Sequence, residues 1–80
     1  MPNLSRYRQA PVLVAVGKAV RSIRVERGMS QEDLAHLAGV DVSYLGRVER
    51  GDNNVAIITL QKIAASLGVS VARLIEVAGI

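Results

Sequence analysis

Residues 31–50 read QEDLAHLAGVDVSYLGRVER, and this stretch decides the fold of the chain. Ala35 is small where one helix must approach the next closely, and Gly39 can leave the first helix in a left-handed conformation without steric cost. Leu45 and Val48, three positions apart, place two apolar side chains on the inner face of a second helix. This spacing is typical of a helix-turn-helix motif.

The outer face of the second helix carries short side chains and long cations. Its members are Val42, Ser43, Gly46, Arg47 and Arg50. Such a face suits the major groove of duplex DNA, which admits an α-helix and presents base edges to its side chains. The guanidinium of Arg47 can donate to guanine O6 and N7 at the same time. The alternative is that Arg47 is only solvated, as most surface arginines are. Arg50 can touch a phosphate or pair with an acid, and the Ser43 hydroxyl can bond locally instead.

The composition indicates one small domain with an aliphatic core. A chain of 80 residues buries only a modest fraction of its surface, and this one has no Phe, Trp or Cys. Without cysteine there is neither a disulfide framework nor a thiolate metal site, which fits a reducing compartment, and we expect a cytoplasmic protein. The net charge of +3 is by itself a weak indication of nucleic-acid binding, because small basic domains are common.

The first residues differ in character from the rest of the chain. Residues 1–11 are polar and contain both prolines, so we expect a flexible arm followed by a folded domain over 12–80. The apolar run after the arm is interrupted at Gly17 and Lys18, well short of the ~18 residues that a membrane span needs. Because the helical pattern continues through the interruption, we interpret the run as a buried helix and expect no membrane association.

Apolar periodicity and cap residues predict five helices and no strands. Ser30, Asp41 and Ser70 stand at N-cap positions, and Asp33 gives Ser30 a variant of the capping box. The predicted helices cover about 12–27, 31–38, 42–50, 56–67 and 71–79. The residues of helix four predicted to face inward are Ile57, Leu60, Ile63, Ala64 and Leu67.

The chain resembles the Xre-like, lambda-repressor-like helix-turn-helix regulators of bacteria and phages. The matching stretches, all within residues 16–75, are VGKAVRSIRVERGMSQEDLAHLAGV, DVSYLGRVERG and TLQKIAASLGVSVARLI. The resemblance rests on helix spacing, caps and turn glycines that agree over five elements. It implies a compact all-α five-helix domain that binds double-stranded DNA sequence-specifically, usually as a two-fold homodimer.

The resemblance also implies roles for individual residues. The base-reading positions are Val42, Ser43 and Arg47. The expected phosphate contacts are Gln31 and Asn54 by resemblance, with Tyr44 and Arg50 beside them. Tyr44 can instead be half-buried packing, and Val42, where relatives often carry a polar or basic residue, can pack on a thymine methyl. In the family, the arginine matching Arg24 pairs with the glutamate matching Glu49, so we expect a structural salt bridge between helix one and helix three.

Surface aliphatic residues offer a candidate dimer interface. One recognition helix makes too little contact for a unique genomic site, whereas a dimer doubles the readout. We predict that the interface contains Val55, Ile58, Val77 and Ile80. The first two lie near helix four and the last two near the C-terminus. Scattered surface aliphatics are also ordinary and need no partner.

Catalysis and ligand binding are not expected. The chain has a single histidine, His36, and no cysteine, so its residues offer no plausible metal site. The sequence also lacks the Ser-His-Asp and paired-carboxylate spacings that are typical of hydrolytic active sites. We therefore expect no enzyme activity, no metal, no cofactor and no small-molecule effector. Two alternatives stay open: an antitoxin that binds both DNA and a toxin, and a protein-interaction module that kept the fold without binding DNA.

Overall fold

The computed structural model describes residues 6–80, so the beginning of the expected arm, residues 1–5, lies outside the described residues. Over the described range the chain forms five α-helices and no strand. They are α1 (Pro11–Glu26), α2 (Gln31–Ala38), α3 (Val42–Arg50), α4 (Ile57–Ser66) and α5 (Val71–Ala78). The predicted all-α, five-helix fold is confirmed. Helix α1 includes Pro11, because a proline suits the first helical position, where its missing N–H would have no partner.

Cap residues set where the short helices begin. Ser30 Oγ accepts from the Asp33 N–H at 3.0 Å, and the Asp33 carboxylate accepts from the Ser30 N–H at 3.0 Å. The predicted capping box is confirmed, and the bond from the Ser30 N–H holds the pKa of Asp33 below its ordinary value. Ser70 Oγ likewise accepts from the Arg73 N–H. The predicted N-cap position of Asp41 is confirmed for α3, although its exposed side chain makes no capping hydrogen bond to that helix.

The turn between α2 and α3 has the predicted helix-turn-helix geometry. Gly39 ends α2 with a φ of 70°, in the left-handed region that glycine adopts without strain. Ala35 is buried between the helices, and Leu45 and Val48 are buried on the inner face of α3. Helix α3 packs against α1 and α2, which leaves its opposite face to solvent.

The core is aliphatic and draws on all five helices. Its largest fully buried side chains are Val20, Leu34, Leu45, Val48, Ile63, Leu67 and Leu74. Helix α4 departs from the predicted pattern at Ile57, whose side chain is 66% exposed. Ile57 is the first residue of α4, and Val55, two residues before it, packs against the core. The prediction that Ile57 is buried was therefore wrong.

Helices α1 and α3 approach each other closely at Gly17. A Cβ atom at this position would lie 2.4 Å from the Val48 carbonyl oxygen and 2.5 Å from the Glu49 carbonyl oxygen. Both oxygens belong to the backbone of α3, which cannot give way as a flexible side chain can. In the sequence Gly17 is only a break in an apolar run, whereas in the fold it lets α3 lie against α1.

No helix within residues 6–80 is by itself long and apolar enough to cross a membrane. Helices α4 and α5 meet those criteria only when taken together, and the chain bends by 92° between them. Leu67 and Leu74, on either side of this bend, are buried in the core.

Candidate nucleic-acid interface

Most of the side chains predicted to contact DNA surround one open cavity on the outside of α3. They are Gln31, Val42, Ser43, Arg47 and Arg50. The cavity has a volume of about 510 Å³ and is also lined by Gly46 and Asp52. Gly46 has no side chain and is buried beneath its neighbours. A Cβ atom at this position would lie 3.2 Å from Arg50 Nη1 and 4.0 Å from Gln31 Nε2, so these two side chains lie over the middle of the face.

An ion pair fixes α3 to α1 behind this face. Arg24 Nε lies 2.7 Å from Glu49 Oε2, and Arg24 Nη2 lies 3.0 Å from Glu49 Oε1. The side chains are 11% and 3% exposed, respectively. Arg24 Nη1 also donates to the Met29 carbonyl oxygen at 2.9 Å. The structure thus brings together the two residues expected to form the structural salt bridge, and the hydrogen bond to Glu49 raises the pKa of Arg24.

Gln31 is tied to the same ion pair. Its Nε2 donates to Glu49 Oε1 at 2.9 Å, so the amide is held at the edge of the α3 cavity. The bond uses one of the two amide N–H groups, and the second can still donate to an acceptor outside the protein. The buried ion pair therefore positions a residue expected to contact phosphate, a link that the sequence does not reveal.

Tyr44 and Arg47 form a stacked pair in an adjoining cavity. The guanidinium carbon of Arg47 lies 5.8 Å from the centroid of the Tyr44 ring, and both residues line this cavity with Thr59. Within the described part of the chain, Arg47 Nε is buried and has no hydrogen-bond partner. Burial raises the pKa of Tyr44, while a hydrogen bond with Thr59 acts in the opposite direction. This contact was not predicted, and the i, i+3 spacing of a tyrosine and an arginine on one helix is the sequence signal that could have revealed it.

The loop after α3 holds Arg50 through an acid, which is one of the two alternatives that the sequence left open for this residue. Arg50 Nε donates to Asp52 Oδ2 at 3.2 Å. Gln9, from the segment before α1, donates through Nε2 to Asp52 Oδ1 at 2.7 Å. This bond from Gln9, followed by the contribution of Arg50, lowers the pKa of Asp52. Asn54, the remaining predicted phosphate contact, is exposed in the same loop.

The residues predicted for a dimer interface have different surroundings. Ile58, Val77 and Ile80 are 65%, 41% and 56% exposed. Val55 is half-buried and packs against the core. Val77 lines a groove of about 670 Å³ between α1 and α5, whereas Ile58 lies in the first turn of α4. Val55 therefore offers less surface to a partner than the other three residues.

Comparison with known proteins identifies the motif independently. A family model described as helix-turn-helix matches residues 20–74. A Neisseria hypothetical transcription factor from Neisseria meningitidis is 43% identical over 56 residues, which cover 70% of this chain and 53% of that protein. The chain thus spans about half the length of this curated relative.

Two solved structures are similar over most of the chain. One is the restriction-modification controller protein C.AhdI from Aeromonas hydrophila, with 44% identity and a TM-score of 0.76 over 78% of this chain and 94% of that one. The other is the nucleoprotein complex of C.Esp1396I, with 36% identity and a TM-score of 0.77 over 84% of this chain and 87% of that one. The names of these relatives describe a transcription factor and controller proteins, and none describes an enzyme.

Proposed function

The chain belongs to the Xre-like helix-turn-helix family, and from this membership we propose that it is a transcriptional regulator that binds duplex DNA through α3. The observation that carries the proposal is the α3 cavity, where Gln31, Ser43, Arg47 and Arg50 converge on an open face. A related protein of known structure forms a nucleoprotein complex, which supports the same function. We expect the regulator to need neither a cofactor nor a small-molecule effector.

Three residues of α3 read the bases in this proposal. The Ser43 hydroxyl can donate to or accept from a base edge, and the exposed Val42 methyl groups suit the apolar contact with thymine. Arg47 reads guanine with its terminal nitrogens while the Tyr44 ring supports the guanidinium plane. The stack restricts the side chain before DNA arrives, so less conformational freedom is lost on binding.

Four other residues position the protein on the backbone of the duplex. Gln31 offers its second amide N–H from the start of α2, where the helix dipole also favours a phosphate. The Tyr44 hydroxyl is protonated at neutral pH, as tyrosine ordinarily is, and burial raises its pKa further, so it can donate to a phosphate oxygen. The other two phosphate contacts are Arg50, the last residue of α3, and Asn54, in the loop that follows. Both residues are exposed. These contacts fix register without reading sequence.

Replacing Arg47 tests the base-reading role. Arg47→Ala should weaken binding to the preferred site by about 1–3 kcal/mol and relax preference at one base position, because the bidentate contact is lost. Arg47→Lys is the matched variant: it keeps the charge without the fork, so base preference should fall while general affinity for DNA is largely kept. Electrophoretic shift assays with the DNA upstream of its own gene, and with single-base variants of that DNA, measure both effects.

Gln31→Ala tests a phosphate contact and so contrasts with Arg47→Ala, which tests base reading. It should weaken all duplexes to a similar degree, because a phosphate contact carries no sequence information. A thermal melt must accompany the assay, since Gln31 also binds Glu49. Unchanged affinity and base preference in Arg47→Ala would contradict the placement of α3 in the major groove.

We further propose that the protein acts as a two-fold dimer built around α5 and the C-terminus. Val77 and Ile80 are exposed there, and Ile58 adds an exposed aliphatic side chain on α4. A dimer would present two copies of α3 about one helical turn of DNA apart. The half-burial of Val55 makes it a minor contributor.

Sedimentation at micromolar concentration tests the dimer. Val77→Asp should shift the protein towards the monomer, because dimerisation would bury an unpaired carboxylate. Val25→Asp is the matched control, since Val25 is also an exposed helical valine but lies on α1, and it should leave the dimer intact. A wild-type monomer that also binds DNA as a single copy would contradict the proposal.

A further inference from the structure

The segment before α1 is fastened to the end of α3. The Gln9 backbone N–H donates to the Gly51 carbonyl oxygen at 2.6 Å. Its side-chain Nε2 donates to the Arg50 carbonyl oxygen at 2.6 Å and to Asp52 Oδ1 at 2.7 Å. These bonds join residues more than forty positions apart, so they fix the place of the segment in the fold. They also satisfy carbonyl oxygens at the C-terminal end of α3, which have no partner within the helix.

The backbone of Gln9 is adapted to this contact. Its φ of 64° lies in the left-handed region, and among the described residues it is the only one outside glycine with a positive φ. Such a conformation is unfavourable for a residue with a Cβ and persists where surrounding contacts determine it. The bonds to Arg50, Gly51 and Asp52 provide those contacts.

The fastened segment carries two cations, which stand close to Gln9 in the sequence. Arg6 and Arg8 are exposed, and the guanidinium carbon of Arg6 lies 5.4 Å from the centroid of the Tyr7 ring. Asp52, which Gln9 binds, lines the same cavity as Ser43. The charge of Arg8 acts on Asp52 and contributes to lowering the pKa of that carboxyl. Arg8 therefore extends the cationic surface that begins at Arg50, and Arg6 precedes it in the same segment.

We propose that residues 6–9 are a second part of the DNA-binding surface, in which Gln9 holds Arg6 and Arg8 beside Arg50 so that both arginines contact phosphates. This proposal rests on the proposed function. An unpaired Asp52 carboxylate would repel DNA. In this structure it accepts hydrogen bonds from Gln9 and Arg50, and in the proposal it orients the cations around it. The segment adds affinity and salt dependence, and it adds no base reading.

The dependence of DNA affinity on salt tests the proposal. Each neutralised phosphate contributes roughly −0.9 to the slope of log K against log salt concentration, so Arg6→Ala/Arg8→Ala should reduce the steepness by about 1.8. Lys62→Ala/Arg73→Ala is the matched control, because it removes the same charge from exposed positions on α4 and α5. The control should keep a slope close to that of the wild type on the same duplex.

Gln9→Ala tests the fastening separately. It keeps both arginines but removes the side-chain bonds that hold them, so the slope should become less steep at a temperature well below the melting transition. If the arginine variant and its control lose the same amount of slope, or neither loses any, the proposal is overturned while DNA binding by the wild type still supports the proposed function. An unchanged slope in Gln9→Ala would overturn the role of Gln9. Failure of the wild type to bind any duplex would instead contradict the proposed function itself.

Discussion

Replacing Arg24 with alanine should lower the free energy of unfolding by about 3–5 kcal/mol, the range found when one partner of a buried ion pair is removed. Glu49, with a side chain only 3% exposed, would be left with Gln31 as its remaining hydrogen-bond partner. Such a loss is large for a domain of this size, whose total stability is of the order of 5–15 kcal/mol. Equilibrium unfolding in urea measures it as a lower midpoint.

A double-mutant cycle then isolates the pair. Glu49→Ala alone should also destabilise the protein, and the double variant should lose less than the sum of the two single losses, because each single change leaves a partner unpaired. Glu26→Ala is the control: it removes the exposed ion pair with Arg27, which should contribute no more than about 1 kcal/mol. Strict additivity of the Arg24 and Glu49 changes would contradict the coupling.

Replacing Gly17 with alanine should destabilise the fold through the contact between α1 and α3. The new Cβ would lie 2.4 Å from the Val48 carbonyl oxygen, and overpacking of this kind costs about 1–3 kcal/mol or more. Helix propensity favours alanine over glycine by up to about 1 kcal/mol, which is too little to offset a clash with backbone. Thermal melting should show a clear fall in Tm.

Gly46→Ala is the matched control for this prediction. A Cβ atom there would meet the end of the Arg50 side chain at 3.2 Å, and that side chain can move. The protein should therefore be as stable as the wild type or more so, because the helix gains a better helix former. If Gly17→Ala were as stable as Gly46→Ala, the close approach of α1 and α3 would not be needed for the fold.

Much of the fold could be predicted because its signals are local. A cap such as Ser30 with Asp33, or a helix end such as Gly39, acts within a few residues, and the sequence displays it directly. Leu45 and Val48 follow from helical periodicity in the same way. Periodicity failed at Ile57 because a helix end can extend past the core, and the position of the core edge depends on neighbouring elements.

The parts of the site that could not be predicted depend on distant segments. The sequence offers no sign that Gln9 binds Asp52, because the contact arises only after α1 and α3 have packed. Gly17 gives a weak signal for the same reason, since a glycine within a helix does not reveal what approaches it. The outer face of α3 was predicted from helical spacing, the individual contacts of residues such as Gln31 and Asn54 came from family resemblance, and all these roles remain predictions.

Selection of binding sites from a pool of random duplexes, followed by footprinting of the enriched site, tests the central claim most directly. We expect a two-fold sequence whose half-sites lie about one helical turn apart, both protected, because two copies of α3 enter successive major grooves on one side of the DNA. No enriched sequence at all, or a single half-site occupied by one copy, would contradict it.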